Sequence, residues 1–446
     1  MTTSVPTGDT VPSSSEAGWK SYLADLWKAP PSAKAALLGC LLLMLVSPSG
    51  LSAMTTFIVP SFAQETGAAK SAGILVFVSL PLLIGPIVLP FAGRWVDRLG
   101  ARRIAIPSAV LYAALTALIP LCGSSVPALA VVLILASVFG FMSGLAVVFK
   151  VVSTWLPQHR GIGFALIGVA SSLAATVFSP VFQWLISGSA GLGWKGTYLL
   201  VAAVIAVVAI PTTVFLISEP QEPTAPRVTG PDVELPRLSG IPLRKAVRTR
   251  IWISITISLA FAAAGPMTVR QNAVDFFNER GFTGATVSLS LSALFAASVV
   301  GLLGGGMILD RTDRPRVVVP MLAAVPVGLL IAFVNHGSTP LLFVAMILLG
   351  FATGAESALG PFLIARYFGL ASFAQLQGLT LAISTLSLGM SPFLVSAMQT
   401  ATGSYTVPVL ALTALTVVAV VLAAVLPKFP SQWKIGNPPD QIVESA

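Results

Sequence analysis

Apolar positions run in long blocks along this chain, and polar positions are largely confined to the short gaps between them. A helix needs about 20 apolar residues to cross a bilayer. Twelve blocks meet that length, at 34–58, 72–92, 103–122, 126–149, 161–187, 197–217, 250–272, 286–309, 316–334, 340–365, 374–398 and 405–426. Inside a bilayer every backbone polar group must find an internal partner, so these blocks are expected to be helices. Before the first of them, Trp19, Tyr22, Leu23, Leu26 and Trp27 recur at helical spacing among Lys20, Asp25 and Lys28. That is a short amphipathic helix, which reads either as an interfacial anchor or as a lead-in turn of span one.

The blocks fall into two sets of six. Between them, Pro220, Pro223, Pro226, Pro231, Pro236 and Pro242 stand among charged residues over 218–249, the composition of a linker. The expected organisation is a tail over 1–33, a six-helix bundle over 34–218, a linker over 219–249, a second bundle over 250–426 and a tail over 427–446. Two repeats support a duplication. The Asp97-Arg98 pair recurs as Asp310-Arg311, and Ser179-Pro180 recurs as Ser391-Pro392, at nearly the same offset and close to half the chain length away. A shared offset marks an internal repeat. Duplicated membrane halves are the layout of many secondary transporters, whose substrate site lies between the halves near the midplane. The expected fold is all-α: a polytopic membrane protein of twelve transmembrane helices in two pseudo-symmetric six-helix halves.

Composition excludes a soluble globular protein, with 55% hydrophobic residues, 9% charged residues and a mean hydropathy of +0.91. The net charge of +9 would suggest a nucleic-acid partner in a soluble chain, but here the cations sit in alternate loops. Arg94, Arg98, Arg102 and Arg103 follow span two, Arg160 follows span four, Arg244, Lys245, Arg248 and Arg250 precede span seven, Arg311, Arg314 and Arg316 follow span eight, and Arg366 follows span ten. The other loops hold little beyond Lys70, Lys195 and Arg280. The positive-inside rule then places both termini and the linker in the cytoplasm, as expected of a multi-pass protein of a bacterial inner membrane. Cys40 and Cys122 fall inside spans and are expected to be free thiols. The polar stretch over 1–30 lacks the apolar core of a cleavable signal, so span one is expected to act as its own insertion signal.

The segment Gly93-Arg94-Trp95-Val96-Asp97-Arg98-Leu99-Gly100-Ala101-Arg102-Arg103 resembles the signature loop of the major facilitator superfamily, in which Gly, three residues, Asp-Arg, one residue, Gly and a basic cluster join spans two and three. Ala101 stands where a basic residue is usual. The second copy keeps Gly306, Asp310, Arg311, Arg314 and Arg316, with Asp313 at the second Gly and Pro315 inside the cluster. The resemblance covers residues 34–426 and implies the major facilitator fold. It also implies that Asp97 latches one half against the other, and that Gly93, Asp97, Arg98, Arg102, Arg103, Asp310 and Arg311 gate the cytoplasmic side. The plainer reading of these charges is topogenic anchoring, which needs no Asp and no fixed spacing. Trp155-Leu156-Pro157-Gln158-His159-Arg160-Gly161 with Gly163, and Gly354-Ala355-Glu356 followed by Arg366-Tyr367-Phe368-Gly369-Leu370, resemble the bacterial branch of oxalate–formate exchangers and monocarboxylate porters. They imply organic-anion transport. The absence of basic residues inside spans eight and eleven argues against oxalate itself.

Ionisable groups within spans are costly and therefore point to function. Lys150 lies near the end of span four, Arg270 in the outer part of span seven beside Gln271 and Asn272, and Glu356 well inside span ten. Lys150 reads either as a substrate contact or as a snorkelling side chain. Arg270 reads as a substrate contact or a headgroup contact. Its polar companions, following the helix-loosening Gly265-Pro266, favour a cavity-facing cluster of Arg270, Gln271 and Asn272. Glu356 reads as a proton carrier or as a structural ion-pair partner. Two cations against one carboxylate favour an anionic substrate. The small residues Gly301, Gly304, Gly305 and Gly306 in span eight and Ser171, Ser172, Ala174 and Ala175 in span five read as helix-packing surfaces.

The expected activity is secondary transport of a small organic anion, a mono- or dicarboxylate, by alternating access with a proton as the coupling ion. Anion exchange, proton-driven efflux of amphipathic drugs and a non-transporting membrane sensor are the alternatives. Efflux proteins of the superfamily usually carry an acidic residue in span one and a Gly-Pro-rich signature in span five, and neither occurs in 34–58 or 161–187. There is no Ser/His/Asp, Cys/His or metal constellation and no Walker loop, so neither an enzyme nor an ATP-driven pump is expected, and no cofactor. One chain holds a complete pathway, so the expected form is a monomer whose partners are the anion, the proton and membrane lipid.

Overall fold

Residues 30–155, 160–218, 240–310, 314–369 and 372–430 are described by the structure, a computed structural model. The amphipathic stretch at 19–28, most of the 219–249 linker, the Pro157–His159 part of the second motif, Arg311 and the tail beyond Pro430 lie outside these residues. Within them the chain is helical, and the only strand-like pairing is a single antiparallel bridge between Gly240 and Gly369.

Ten helices among the described residues are long and apolar enough to cross a membrane: Ala101–Cys122, Val126–Trp155, Leu166–Ser187, Gly193–Leu216, Arg250–Asn278, Gly284–Leu309, Pro315–Val334, Thr339–Phe368, Gln375–Thr402 and Thr406–Ala424. These are spans three to twelve. Span one is interrupted and so falls short as a single apolar helix. Span one is two helices, Pro31–Leu45 and Met54–Thr66, where a single run over 34–58 was expected. Ser47 and Pro48 cause the break. Proline cannot donate to the helix ladder, and Ser47 Oγ instead donates to Met44 O (2.8 Å) and accepts from the Gly50 amide (3.2 Å). The Pro48 ring seats against span four at Gly140, where a β-carbon would lie 2.6 Å from Pro48 Cγ. Span two runs from Lys70 through a π-helical turn at Leu75–Ser79 to Leu99, and further π turns occur at Met142–Ala146 and Thr212–Leu216. One residue, Gly100, joins spans two and three. Its φ of +88° is strained for any residue with a β-carbon, which accounts for the second glycine of the signature segment.

Span seven is longer than its apolar run. The run ends at Arg270-Gln271-Asn272, but no helix breaker follows, and the helix continues to Asn278 before Gly281 turns the chain at φ +83°. Arg270 therefore lies two turns before the helix end, about 12 Å of helix rise inside it. Thr249 caps the other end, its hydroxyl accepting from the Trp252 amide (3.2 Å). Just upstream, the Ile241 amide donates to Phe368 O (2.9 Å), so the end of the linker is fastened to the end of span ten.

Spans eight and ten cross closely because small residues remove side-chain bulk from the contact. A β-carbon at Gly354 would lie 1.9 Å from Ser298 O, one at Gly350 2.0 Å from Leu294 O, and one at Gly301 2.0 Å from Phe351 O. Gly305 also meets span ten, at Ala355, whereas Gly304 and Gly306 face open space. Gly354→Ala is therefore expected to force the two helices apart at a cost of about 3 kcal/mol, the upper end of ordinary overpacking. Gly304→Ala should be neutral or slightly stabilising, because alanine is the better helix former. Thermal unfolding of the two variants in detergent checks the contrast. Large apolar side chains elsewhere face outward, among them Leu121 at 78% and Phe215 at 81% exposure, as a lipid-facing surface requires. Cys40 is buried and Cys122 partly buried, each a free thiol.

Candidate functional site

A cavity of about 500 Å³ lies between the two sets of six spans. The break in span one supplies Pro48, Ser49, Leu51 and Ser52 to its wall, and the π turn of span two supplies Phe77 and Val78. π turns commonly mark functional positions in helices. Spans three, four and six add Tyr112, Leu133, Ser137, Phe141, Tyr198 and Val201. From the second half come Pro266, Met267, Arg270 and Gln271 of span seven, Leu294, Phe295 and Ser298 of span eight, and Thr353, Glu356 and Ser357 of span ten.

Arg270 is thus the cation of this wall and Glu356 its carboxylic acid. Arg270 Nη2 lies 2.7 Å from Met267 Sδ, and the guanidinium stands over the Phe295 ring with its carbon 5.5 Å from the centroid. Its Nε is buried without a hydrogen-bond partner. No ion pair reaches Arg270 or Glu356 among the described residues, so a cation and a carboxylate share one chamber without neutralising each other directly. A partly buried guanidinium with no anion beside it is incompletely solvated, and an incoming anion would offset that cost.

Gln271 also lines the cavity, and its Oε1 accepts from Thr55 Oγ1 across the two halves (3.0 Å). Asn272, expected beside it, does not line the cavity. It lies about 100° further round the helix, is buried, and donates through Nδ2 to Thr268 O (3.0 Å). Lys150 is also absent from the wall. It follows Phe141, the last cavity residue of span four, by about 13 Å of helix rise toward the end that carries the basic loops. Gly93 lies within the Leu80–Leu99 helix, and Arg98, Arg102 and Arg103 are exposed around Gly100. The side chains of Asp97 and Asp310, like the whole of Arg311, lie outside the described residues.

The halves are joined on the far side of the cavity from these basic loops. Lys70, at the start of span two, forms an ion pair with Asp275 of span seven, and its ammonium donates to Tyr405 Oη of span twelve (2.9 Å). Ser179 Oγ donates to Ser288 O (3.0 Å) and Ser292 Oγ to Thr176 O (2.7 Å), tying span five to span eight. At the cavity itself Ser298 Oγ donates to Ser172 Oγ (3.1 Å). These contacts join the two halves at that end of the cavity. Lys70 reads from the sequence as a loop charge and Asp275 as lying beyond span seven. The available signal was helical spacing, since Asp275 follows Gln271 by one turn. Asp275→Asn is expected to loosen this junction by about 1.5–3 kcal/mol, the range for a hydrogen bond to a charged group. A cysteine placed at Ser52 should then react faster with a membrane-impermeant thiol reagent applied from the Lys70 side.

Twelve helical spans in two six-helix halves around a central cavity define a membrane transporter of the two-bundle type. The sequence model of the Major Facilitator Superfamily matches residues 40–270, more than half of the chain, and the chain belongs to that family. It is 25% identical over 332 residues to MFS transporter asaE of Aspergillus flavus, covering 72% of this chain and 69% of that one. It is 24% identical over 258 residues to monocarboxylate transporter 13 of Bos taurus, covering 57% of each. Among solved structures, the nucleoside transporter NupG (D323A mutant) superposes with a TM-score of 0.71 at 15% identity, over 88% of this chain and 100% of that one. A bacterial homologue of the human lysosomal transporter Spinster, in an inward-facing and unoccupied conformation, superposes with a TM-score of 0.68 at 14% identity, over 89% and 96%. At these identities the two structures bear on the fold.

Proposed function

We propose that this chain is a secondary active transporter that moves a small organic anion across a bacterial inner membrane by alternating access, with a proton as the coupling ion. The observation that carries the reading is Arg270: a guanidinium without a carboxylate partner among the described residues, lining the cavity between the halves. Arginine can hold a carboxylate through two parallel hydrogen bonds, which makes it suited to that ligand. Likeness to a protein named monocarboxylate transporter 13 accords with this substrate class.

Glu356 is proposed as the proton carrier. It lines the same chamber near the middle of span ten, several turns from both Thr339 and Phe368, and no protein cation neutralises it among the described residues. Protonated Glu356 with an anion on Arg270 gives an uncharged loaded chamber, the state that crosses low dielectric at least cost. The positive-inside rule places the basic loops and both termini in the cytoplasm. The contacts among Lys70, Asp275 and Tyr405 then lie at the outer end, and we propose that they hold that end closed in an inward-facing conformation. Asp97 and Asp310, with their neighbouring arginines, are proposed to latch the inner end when the outer end opens. Lys150, about 13 Å beyond the last cavity residue of its span, is left out of this binding site.

A thermal-shift screen of the purified protein tests the reading, since a ligand that binds the folded state raises its apparent stability. Carboxylates should raise the midpoint where their amides do not. Equal shifts from acids and amides, or shifts from cationic amphipaths alone, would contradict it.

A further inference from the structure

The first-half wall of the cavity carries polar groups that the anion and proton roles do not use. Tyr112 of span three, Ser137 of span four and Tyr198 of span six all line the cavity, and they are only 7%, 8% and 3% exposed. None of their hydroxyls has a hydrogen-bond partner among the described residues, although other wall hydroxyls bond within the protein. Thr116 donates to Tyr112 O (2.6 Å), Ser171 to Ile167 O (3.3 Å) and Ser357 to Thr353 O (3.2 Å). These oxygens open onto the cavity and are not sealed inside the protein, so three on one wall are free to bond a polar group of a ligand or water.

Their positions are firmly set. Tyr198 stacks on Phe77 (6.2 Å between centroids, 25° between planes) and packs edge-on to Trp194 (6.5 Å). Trp194 in turn packs against Phe62 (5.5 Å), and Phe62 against Phe77 (5.1 Å). Tyr112 is held over Gly140, where a β-carbon would lie 3.1 Å from its Cε2. Rigid rings of this kind present a hydroxyl at a fixed place with little ordering cost on binding.

Much of the remaining lining is apolar and aromatic, with Phe77, Phe141, Leu133, Val201, Leu294 and Phe295. A volume of about 500 Å³ is far larger than a two-carbon acid needs and lies in the range of sites for drug-sized ligands. A small dicarboxylate would leave most of that apolar surface uncovered, and it would bring a second negative charge into a chamber whose wall offers one guanidinium. From these features we infer that the chamber is a two-pole site for a monocarboxylate with a ring-sized apolar body and an uncharged polar group at its far end. Arg270 takes the carboxylate, the aromatic lining takes the ring, and Tyr112, Ser137 and Tyr198 take the polar group. This rests on the organic-anion reading and narrows it to hydroxylated aryl acids.

The test is equilibrium binding to the purified full-length protein by isothermal titration calorimetry, with 4-hydroxyphenylacetate, phenylacetate, acetate and succinate as probes. The expected order is 4-hydroxyphenylacetate tightest, phenylacetate about tenfold weaker for want of the second pole, and acetate and succinate weaker again. Tyr112→Phe and Tyr198→Phe keep the rings, so they should fold. In the triple variant that adds Ser137→Ala to these two, 4-hydroxyphenylacetate should fall to the affinity of phenylacetate, whose own affinity stays unchanged. Succinate binding as tightly as the aryl acids would overturn the inference, as would a hydroxyl preference that survives in the triple variant. Either result, with binding still abolished by Arg270→Ala, would leave the anion reading standing. If no acid binds, or if Arg270→Ala binds them all as the parent does, the anion reading fails and the inference falls with it.

Discussion

Arg270→Ala is expected to weaken carboxylate binding at least about 30-fold, because removing one partner of a buried charge pair costs about 2–5 kcal/mol. The group removed lines the central cavity without a protein carboxylate paired to it among the described residues, so the wall offers no substitute charge at that place. Arg270→Lys should lose less, since it keeps the charge but not the planar pair of donors. Met267 and Phe295, which flank the guanidinium, are uncharged and cannot rescue the anion. Titration of the purified variants with a carboxylate that stabilises the parent protein reads this directly. Equal affinity in parent and Arg270→Ala would move the anion site elsewhere.

Glu356→Gln is expected to abolish accumulation driven by a pH difference while leaving substrate exchange largely intact. Glutamine keeps the shape and one acceptor oxygen but cannot take up or release a proton under these conditions. Glu356 makes no ion pair or hydrogen bond among the described residues, so its replacement breaks no structural contact of that kind. That separates a coupling role from a structural one. Uptake into proteoliposomes with and without an imposed pH gradient, set beside exchange without one, distinguishes them. A Gln variant that still concentrates substrate on a pH gradient alone would make Glu356 structural.

Much of the architecture is legible in the apolar runs, because a bilayer-spanning helix leaves a long and unambiguous trace. Each of the twelve expected spans has a helical counterpart, and Arg270 and Glu356 stand out as charges inside such runs. The interruption at Ser47-Pro48 was hidden because 34–58 stays apolar across it, while local turn bonds and the fit of Pro48 against Gly140 redirect the backbone. Span seven was drawn too short because hydropathy ends at Arg270 while helix geometry does not. The lining of the cavity was the least legible part. A run of apolar residues fixes the angle of each side chain about its own helix axis, but not the direction of the neighbouring helices. Asn272 therefore faces away from the cavity that Gln271 faces, and nothing in the spacing of Tyr112 and Tyr198 along their spans marks them as cavity residues. The Lys70–Asp275 pair was illegible for a related reason, since its members come from different halves and meet only in this packing of the halves.

The claim that an organic anion is carried through the central cavity is tested most directly by counterflow. Proteoliposomes loaded with an unlabelled carboxylate are diluted into the same acid carrying a label, across a panel of mono- and dicarboxylates, with no ion gradient imposed. The account predicts transient uptake of at least one labelled acid by the parent protein and by Glu356→Gln, and none by Arg270→Ala. Counterflow undiminished in Arg270→Ala, or counterflow confined to neutral or cationic solutes, would contradict it.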